Sequence, residues 1–151
     1  MSATVPVRIR RLAHGAGLPL PAYETAGASG MDVRAAVGGP LVLEVGAIAL
    51  VPAGFAIELP QGYEMQVRPR SGLAAKWGIT LPNSPATIDS DYRGEVRVIV
   101  QNLGTEPFTI ERGMRIAQMV LQRAPRVVWE EAEALSATPR EGGGFGHTGL
   151  E

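Results

Sequence analysis

The stretch GEVRVIVQNLG, residues 94–104, carries the clearest structural signal in the chain. Val96, Val98 and Val100 alternate along it with Glu95, Arg97 and other residues. Successive side chains of a β-strand point to opposite faces of the sheet, so this spacing places the three valines on one face. A glycine at each end bounds the run, as turn residues commonly do. The stretch therefore predicts a half-buried β-strand.

Similar short runs lie on both sides of this strand. They are VPVRIRRL (5–12), LVLEVG (41–46), AIALVPAGFAIELP (47–60), YEMQVRPR (63–70) and FTIERGMRIAQMVLQR (108–123). The run at 47–60 is interrupted by Pro52-Ala53-Gly54, which predicts a turn there. One segment, WEEAEALS (129–136), has a helical pattern, but it is too short for a stable helix to be predicted. Many short alternating runs separated by Gly and Pro are typical of an all-β sandwich or barrel.

Composition supports a single β-domain and excludes several classes of function. The 151 residues suffice for one domain with a sizeable core, and 19 glycines and 12 prolines favour turns over long helices. A net charge of −1 gives no indication of nucleic-acid binding. The absence of cysteine excludes disulfides and thiolate chemistry, and no apolar run is long enough to span a membrane. We therefore expect a cytoplasmic protein without a nucleic-acid or membrane partner.

The end of the sequence differs in kind from the rest. The alternating pattern stops after VLQRAPRVV (120–128), and the chain continues through polar residues to PREGGGFGHTG (139–149). Glycine loses more backbone freedom on ordering than any other residue, so this composition predicts flexibility. We expect a β-domain at residues 1–135 and a flexible C-terminal arm at residues 136–151.

Two further stretches differ from ordinary scaffold strands. AGASGMDVRA (26–35) places Asp32 at the start of an expected strand, and an ordinary loop with a capping Asp is the more common explanation of that pattern. RPRSGLAAKWGI (68–79) places Arg70 and Lys76 on either side of Ser71-Gly72. Backbone N–H, hydroxyl and guanidinium groups converge at such a turn and can bind phosphate oxygens. A solvated basic loop is the alternative.

The stretch LPNSPATIDSDYRGEV (81–96) is unusually acidic. Asp89, Asp91 and Glu95 lie close together beside Tyr92 and Arg93. Such carboxylates suggest a metal site, a general base or ion pairs, and a turn held by an Asp–Arg pair is the structural alternative. Oxygen donors alone would favour Mg²⁺ over Zn²⁺.

The last informative stretch of the predicted domain is RIAQMV (115–120). Gln118 shares a face with two apolar residues, and a buried amide needs a hydrogen-bond partner from the backbone or from a ligand. For a lone Gln the backbone is the more common partner. His14 and His147 belong to no catalytic or metal-binding pattern. Together these stretches suggest a phosphorylated ligand that carries Mg²⁺, without naming it.

These stretches, in this order and with the tail as a fifth, closely resemble the five motifs of the trimeric dUTPase family. The resemblance runs from about Ala26 to Gly149, with PRSGLAAKWGI (69–79), NSPATIDSDYRGEV (83–96) and GGGFGHTG (142–149) nearly intact. It implies a β jelly roll that forms a homotrimer with active sites shared between subunits. It also implies hydrolysis of dUTP to dUMP and pyrophosphate with Mg²⁺, which limits uracil incorporation into DNA and supplies dUMP for thymidylate synthesis.

The resemblance assigns roles to individual residues. Asp89 would activate the water that attacks the α-phosphorus. The uracil and deoxyribose would be bound by Asn83, Thr87, Ile88, Tyr92 and Phe145, with Tyr92 leaving no space for a 2′-hydroxyl. The phosphates would be bound by Arg70, Ser71, Gly72, Gln118, Arg140, His147 and Thr148. Mg²⁺ would be held mainly by the substrate phosphates with Asp32 in its outer shell, and the arm would close over the site as a lid.

Three residues depart from the pattern of this family. Glu141 stands after Arg140 where a glycine is usual, so we expect its negative charge to weaken binding near the terminal phosphate. His147 stands where Ser is typical, and Ala86 stands where Gly is common. Related readings remain open: a dCTP deaminase, a bifunctional deaminase–dUTPase, or a non-catalytic nucleotide-binding relative. The run Asp-Ser-Asp-Tyr-Arg-Gly (89–94) and the Phe-bearing tail favour a plain dUTPase.

Overall fold

A computed structural model describes residues 4–149 of the chain. Its strands are β1 (Arg8–Arg11), β2 (Met31–Arg34), β3 (Leu41–Leu43), β4 (Ile48–Glu58), β5 (Tyr63–Arg68), β6 (Ile79–Thr80), β7 (Ala86–Ile88), β8 (Glu95–Asn102), β9 (Phe108–Ile110) and β10 (Arg115–Arg123). One α-helix, α1 (Ser71–Trp77), and one 3₁₀ turn (Ala13–Gly15) complete the regular structure. The all-β prediction is confirmed.

The strands form two four-stranded antiparallel sheets and one two-stranded ribbon. The first sheet has the order β1-β4-β8-β6, the second has the order β2-β10-β5-β7, and β3 pairs with β9. Neighbours in each sheet are mostly distant in sequence, as in a jelly roll in which strands cross between two packed sheets. The two four-stranded sheets enclose one apolar cluster.

The core consists mainly of aliphatic side chains, as the scarcity of aromatic residues predicts. Val96, Val98 and Val100 of β8 are at most 1% exposed, which confirms that they share the buried face of a strand. Val33 on β2 and Met119 on β10 belong to the same cluster from the opposite sheet. Phe55 is the one aromatic ring among the buried members of this cluster in the part of the chain that the structure describes.

The prediction of a turn at Pro52-Ala53-Gly54 is wrong. Strand β4 continues through these residues, with a register shift between Pro52 and Ala56. The left-handed Gly54 (φ 75°) lies within the irregularity, and its carbonyl accepts a hydrogen bond of 2.9 Å from the Leu12 N–H. A β-bulge contains the same residue types as a turn, but the strand continues beyond it. Here β4 pairs mainly with β8 before the bulge and also with β1 after it.

The segment WEEAEALS (129–136) forms no helix, so its helical pattern was misleading. Its side chains are exposed, and it has no apolar partner that would offset the cost of helix nucleation. Regular structure among residues 4–149 ends at Arg123, and turns at 139–142 and 145–148 are the main local structure in the arm. The boundary at 135/136 and the flexibility of the arm remain predictions, and residues 150–151 of that arm lie outside the described residues.

Helix α1 ends at Gly78, whose left-handed conformation (φ 66°) and N–H bond to the Ala74 carbonyl close the last turn. The Trp77 ring packs at a tilt against Phe108 of β9, with 5.9 Å between ring centroids. Over residues 4–149, no helix has the length and apolar character needed to cross a membrane.

Candidate active site

The second sheet places Gln118, which was predicted to bind phosphate, beside Asp32, which was predicted for the outer shell of the metal. Gln118 on β10 pairs with Asp32 on β2 and with Arg68 on β5, so the three residues form one row. Val67, the residue before Arg68 on β5, pairs with Ala86 at the start of β7. The predicted base-binding residues of the hairpin therefore lie on or near β7, which lies beside β5 in this sheet.

Asp32 is enclosed by two guanidinium groups. Its Oδ1 accepts a hydrogen bond of 2.9 Å from Nε of Arg70, and its Oδ2 lies 3.4 Å from Nη1 of Arg115. Arg115 also lies 3.7 Å from Glu24, and Arg70 donates to the Arg115 carbonyl at 3.3 Å. Asp32, Arg70 and Arg115, here called the positively charged group, have a formal charge of +1, which the exposed Glu24 beside Arg115 offsets. The guanidinium N–H groups that do not bind Asp32 are donors suited to an anionic ligand. Arg115 was not among the residues predicted for this site.

Ser71 and Gly72 form the first turn of α1. Arg70 is the N-cap in an extended conformation, and no side chain caps the helix by a hydrogen bond. The first-turn N–H groups of a helix have no partner within the helix, so here they are available to water or to a ligand. Ser71 and Gly72 are both exposed.

The Gln118 side chain has a backbone hydrogen-bond partner, which is the more common arrangement for an amide on a mostly apolar face. Its Nε2 donates to the Pro69 carbonyl at 2.9 Å, next to Arg70. Its Oε1 lies against Gly30, where a β-carbon would approach it to 2.6 Å. The amide therefore joins the loop before β2 to the loop before α1, and its half-buried position leaves part of it facing solvent.

The predicted base, sugar and catalytic residues of the hairpin at residues 81–96 line one cleft of about 380 Å³, and Phe145 of the arm does not. These residues are Asn83, Thr87, Ile88, Asp89 and Tyr92. Its apolar wall comes from the first sheet and includes Leu50, Val96 and Ile99. The cleft thus combines amide and hydroxyl groups, an apolar surface and one exposed carboxylate, the combination expected of a small-molecule site.

Hydrogen bonds fix the turn after β7. The Tyr92 N–H donates to the Asp89 carbonyl at 3.2 Å, and Nη1 of Arg93 donates to the carbonyls of Ser90 (2.7 Å) and Tyr92 (3.0 Å). The Tyr92 hydroxyl donates to the Glu95 carbonyl at 3.1 Å. Arg93 bonds the backbone, so the alternative of an Asp–Arg pair in this turn is wrong for the described residues.

His14 contacts the edge of this cleft, which the sequence did not predict. Its Nε2 lies 2.5 Å from Oε1 of Glu95, a residue that lines the cleft. The same oxygen accepts the Gly54 N–H at 3.0 Å, and Arg112 binds the carbonyl of His14 at 2.9 Å. His14 and Glu95 are 81 positions apart, so no local pattern could have paired them.

The cleft is lined by none of the predicted phosphate residues of the β-domain. Asp32, Arg70 and Gln118 form their own group at the second sheet, and the pairing of β5 with β7 connects the two groups. A single chain therefore presents a nucleoside-sized cleft and a positively charged group as neighbouring but separate surfaces.

The arm carries its predicted ligand residues away from the cleft. No described residue of the arm lines the cleft, and Arg140, Phe145, His147 and Thr148 are all exposed. Nε of Arg140 donates to the Gly143 carbonyl at 2.8 Å, and the His147 ring lies against Gly143. Further i→i+3 bonds link His147 to Gly144 and Gly149 to Gly146. The described part of the arm is therefore a chain of tight turns.

Glu141 forms a reciprocal pair of hydrogen bonds with Thr138. Its Oε1 accepts from the Thr138 N–H at 2.7 Å, and its own N–H donates to Oγ1 of Thr138 at 3.1 Å. This is the pattern of a capping box, here closing the turn that carries Arg140. Glu141 adopts a φ of 43°, in the left-handed region that a glycine enters more easily. Its carboxylate thus points back to the backbone of the arm.

The described residues do not form a protein cage for a metal ion. Among residues 4–149, no group of three or more His, Asp or Glu side chains could hold one. Asp32 is the acidic side chain within the positively charged group, and an ionised carboxylate has about four acceptor positions, so it can bind water in addition to its two arginines.

Comparisons with known proteins agree on one family. The dUTPase family model matches residues 17–149. The deoxyuridine 5'-triphosphate nucleotidohydrolase of Sinorhizobium medicae (strain WSM419) is 58% identical over 149 residues, which cover 97% of this chain and 93% of the relative. The enzyme of the same name from Rhizobium etli (strain CIAT 652) is 62% identical over 142 residues, which cover 93% and 91%.

Solved structures show the same fold at low sequence identity. A Staphylococcus bacteriophage 80alpha dUTPase with dUPNHPP matches with a TM-score of 0.87 and 22% identity, over 97% of this chain and all of that one. A mutant dUTPase from phage phi11 of S. aureus, described with a structural Mg(II) ion, matches with a TM-score of 0.77 and 18% identity, over 87% and 99%. From the family model and the identities with the two rhizobial enzymes, this chain belongs to the dUTPase family.

Proposed function

We propose that the protein is a dUTP diphosphatase, which hydrolyses dUTP to dUMP and pyrophosphate. The observation that carries this proposal is the cleft in which Asp89 lies beside Asn83, Thr87, Ile88 and Tyr92. Relatives at about 60% identity over more than nine-tenths of the chain are named for hydrolysis of this nucleotide. The cleft is large enough for a nucleoside and contains both polar and apolar surface.

The nucleoside would be recognised by hydrogen bonds from the hairpin. Asn83 and the backbone at Thr87 and Ile88 would bind the edge of uracil, and Tyr92 would pack against the deoxyribose. Hydrogen bonding rejects cytosine effectively, because a mismatched donor or acceptor leaves buried polar groups unpaired. The apolar wall of the cleft, with Leu50 and Ile99, would exclude water from the base.

Asp89 would act as the general base. No ion pair within residues 4–149 includes its carboxylate, so it is available to accept a hydrogen bond from a water molecule. The water oxygen attacks the α-phosphorus as Asp89 takes its proton. The bond from that phosphorus to the bridging oxygen breaks, and pyrophosphate leaves. A positioned base of this kind contributes about 10²- to 10⁴-fold in rate.

The positively charged group would bind the phosphate chain. Arg70, held by Asp32, would present its guanidinium to phosphate oxygens, and Ser71 and Gly72 would add a hydroxyl and the N–H groups at the start of α1. Gln118 would reach phosphate from β10. Gln118 and the Asp32 that binds Arg70 belong to the second sheet, so the group would be held in place to orient the α-phosphorus toward Asp89.

Mg²⁺ fits this arrangement as an ion held mainly by the substrate. The described residues form no metal cage, whereas Mg²⁺ usually keeps several waters and binds substrate phosphates. Asp32 would hold one of those waters. The ion would neutralise charge on the phosphates. We expect turnover to stop when EDTA removes Mg²⁺, and to return when Mg²⁺ is added back.

The arm would close over the bound nucleotide. Phe145 would stack on uracil, while Arg140, His147 and Thr148 would contact the terminal phosphates. In the described conformation these side chains are exposed, so closure requires the arm to move. Ordering each residue costs about 1–2 kcal/mol, which contacts to the ligand would offset. Closure would also remove water from the reacting groups.

A homotrimer with shared sites would bring the cleft and the positively charged group of different subunits together. Two exposed apolar surfaces support association between copies. One lies on the outer face of the first sheet, where Ile48 and Leu50 are more than half exposed. The other is Val127–Trp129, in which all three side chains are at least 68% exposed. Adjacent exposed apolar side chains of this kind often mark an interface between proteins.

The activity would limit uracil incorporation into DNA and supply dUMP for thymidylate synthesis in the cytoplasm. Release of pyrophosphate from dUTP in the presence of Mg²⁺ tests the proposal directly. Background release only would leave the non-catalytic nucleotide-binding relative as the better description. Release of ammonia from dCTP would instead support a deaminase or a bifunctional enzyme.

Sedimentation tests the assembly, because a fully active monomer would contradict shared sites.

A further inference from the structure

Gly94 lies directly beneath the ring of Tyr92. A β-carbon at position 94 would lie 2.3 Å from the Tyr92 hydroxyl oxygen, 2.5 Å from Cζ and 3.0 Å from Cε2. The φ of Gly94 lies outside the left-handed region, so the backbone conformation does not itself require glycine. The feature that requires glycine here is the position of the tyrosine ring.

The backbone around Gly94 has little freedom to move away. Glu95, the next residue, begins β8 opposite Ala56, and its carboxylate is bound to the Gly54 N–H and to His14. On the other side, Arg93 is hydrogen-bonded to two carbonyls of the turn. Because both flanks are fixed, a side chain at position 94 would displace the ring and leave the strand in place.

We propose that Gly94 is a positioning residue for sugar specificity. Its missing side chain lets the Tyr92 ring fold back to the Glu95 carbonyl, at the mouth of the cleft, where the ring excludes ribonucleotides. This inference rests on the proposed function, and in particular on the role of Tyr92. A methyl group at position 94 moves the hydroxyl oxygen from 2.3 Å to an ordinary contact of 3.4–4 Å, which breaks its hydrogen bond. A displacement of about 1 Å is enough to change selectivity strongly.

The test is a double-mutant cycle on the ratio of kcat/KM for dUTP to that for UTP. The variants are Gly94→Ala, Tyr92→Ala and the double variant, with Gly38→Ala as the control because a β-carbon there meets no atom within 4 Å. We expect Gly94→Ala and Tyr92→Ala each to lower the ratio by about tenfold or more. The double variant should match Tyr92→Ala, since the ring that the methyl group displaces is gone. Gly38→Ala should keep the wild-type ratio.

The outcomes separate the inference from the function on which it rests. A wild-type protein that does not hydrolyse dUTP overturns both. If Tyr92→Ala lowers the ratio and a folded Gly94→Ala does not, the role of Gly94 alone is wrong. If Tyr92→Ala leaves the ratio unchanged, Tyr92 is not the sugar gate and the inference falls with it.

Thermal unfolding provides a second measurement in case Gly94→Ala does not fold. Restored folding in the double variant supports the inference, because removing the ring removes the clash. A double variant that also fails to fold overturns it, since the glycine would then be required by the backbone.

Discussion

The hairpin at residues 81–96 and the described part of the arm, residues 136–149, carry the two ends of the same proposed site, yet they are built differently. In the hairpin, strand pairing and the bonds of Arg93 and Tyr92 hold the side chains around one cleft. In the arm, the described bonds are local turns, and Phe145 is fully exposed. In the proposed function, this difference would make recognition preformed and closure dependent on the ligand.

The largest expected effect tests the preformed region. Asp89→Asn should lower kcat by about 10²- to 10⁴-fold, because an amide cannot accept the proton from water. Binding of a non-hydrolysable dUTP analogue, measured by calorimetry, should change little. A variant with near-normal turnover would remove Asp89 from the catalytic role. Asp91→Asn is the matched control, since Asp91 lies in the same turn but does not line the cleft.

Removal of the arm tests the region that closes. A chain that ends at Pro139 should keep its fold, because all strands and the core precede this point. Its kcat/KM for dUTP should fall by about 10²-fold or more, since one stacking contact and one charge-assisted hydrogen bond are lost. Steady-state kinetics and circular dichroism measure the two effects. Full activity without the arm would show that closure is unnecessary.

Phe145→Ala should have a smaller effect within the same region. Loss of stacking on the base is worth about 1–3 kcal/mol, which corresponds to roughly 5- to 150-fold in kcat/KM. The stability of the folded protein should not change, because the ring is fully exposed in the described conformation. Phe145→Trp should retain most activity. If Phe145→Ala matches wild type, the arm does not bind the base.

Substitutions at Glu141 should have the smallest effects. The sequence-based expectation is that its charge weakens phosphate binding, but its carboxylate is bound to the Thr138 N–H. Glu141→Gln keeps an acceptor oxygen and should change the KM for dUTP by less than about threefold. Glu141→Ala loses the capping bond while keeping the left-handed backbone, so its KM should rise by roughly 2- to 30-fold, the kinetic equivalent of about 0.5–2 kcal/mol.

Glu141→Gly completes that series. Glycine also loses the capping bond, but it relieves the backbone strain at φ 43°, so this variant should lie between Glu141→Gln and Glu141→Ala. Kinetics of the three variants check the order. A marked decrease in KM for Glu141→Gln would show that the charge does oppose the phosphate, and would favour the sequence-based expectation.

Much of the fold could be predicted from the sequence because alternation has a direct physical cause. The valines of β8 alternate because one face of the strand is buried, and this pattern is visible without any partner strand. The bulge in β4 could not be distinguished from a turn, because Pro52 and Gly54 are typical of both. The residues after the bulge pair with β1, which keeps them in the strand, and β1 is distant from them in sequence.

The candidate site was predictable only through local motifs. The hairpin residues are close in sequence, so their run could be recognised as a unit, and the cleft brings them together. The contact of His14 with Glu95 depends on how the 3₁₀ turn packs on β4, which no local pattern specifies. The capping pair at Thr138 and Glu141 does match a known spacing, so this pattern was present in the sequence but was missed.

The two tryptophans of the chain have a practical consequence. Trp77 ends the helix that begins at Ser71 and packs on Phe108, whereas Trp129 precedes the arm and is 89% exposed. Indole emission shifts to shorter wavelength when water is removed from the ring, so each tryptophan can report on its own region. With Trp77→Phe, fluorescence would follow assembly around Trp129 on dilution. With Trp129→Phe, it would follow nucleotide binding near α1, so assembly and nucleotide binding would have separate optical signals.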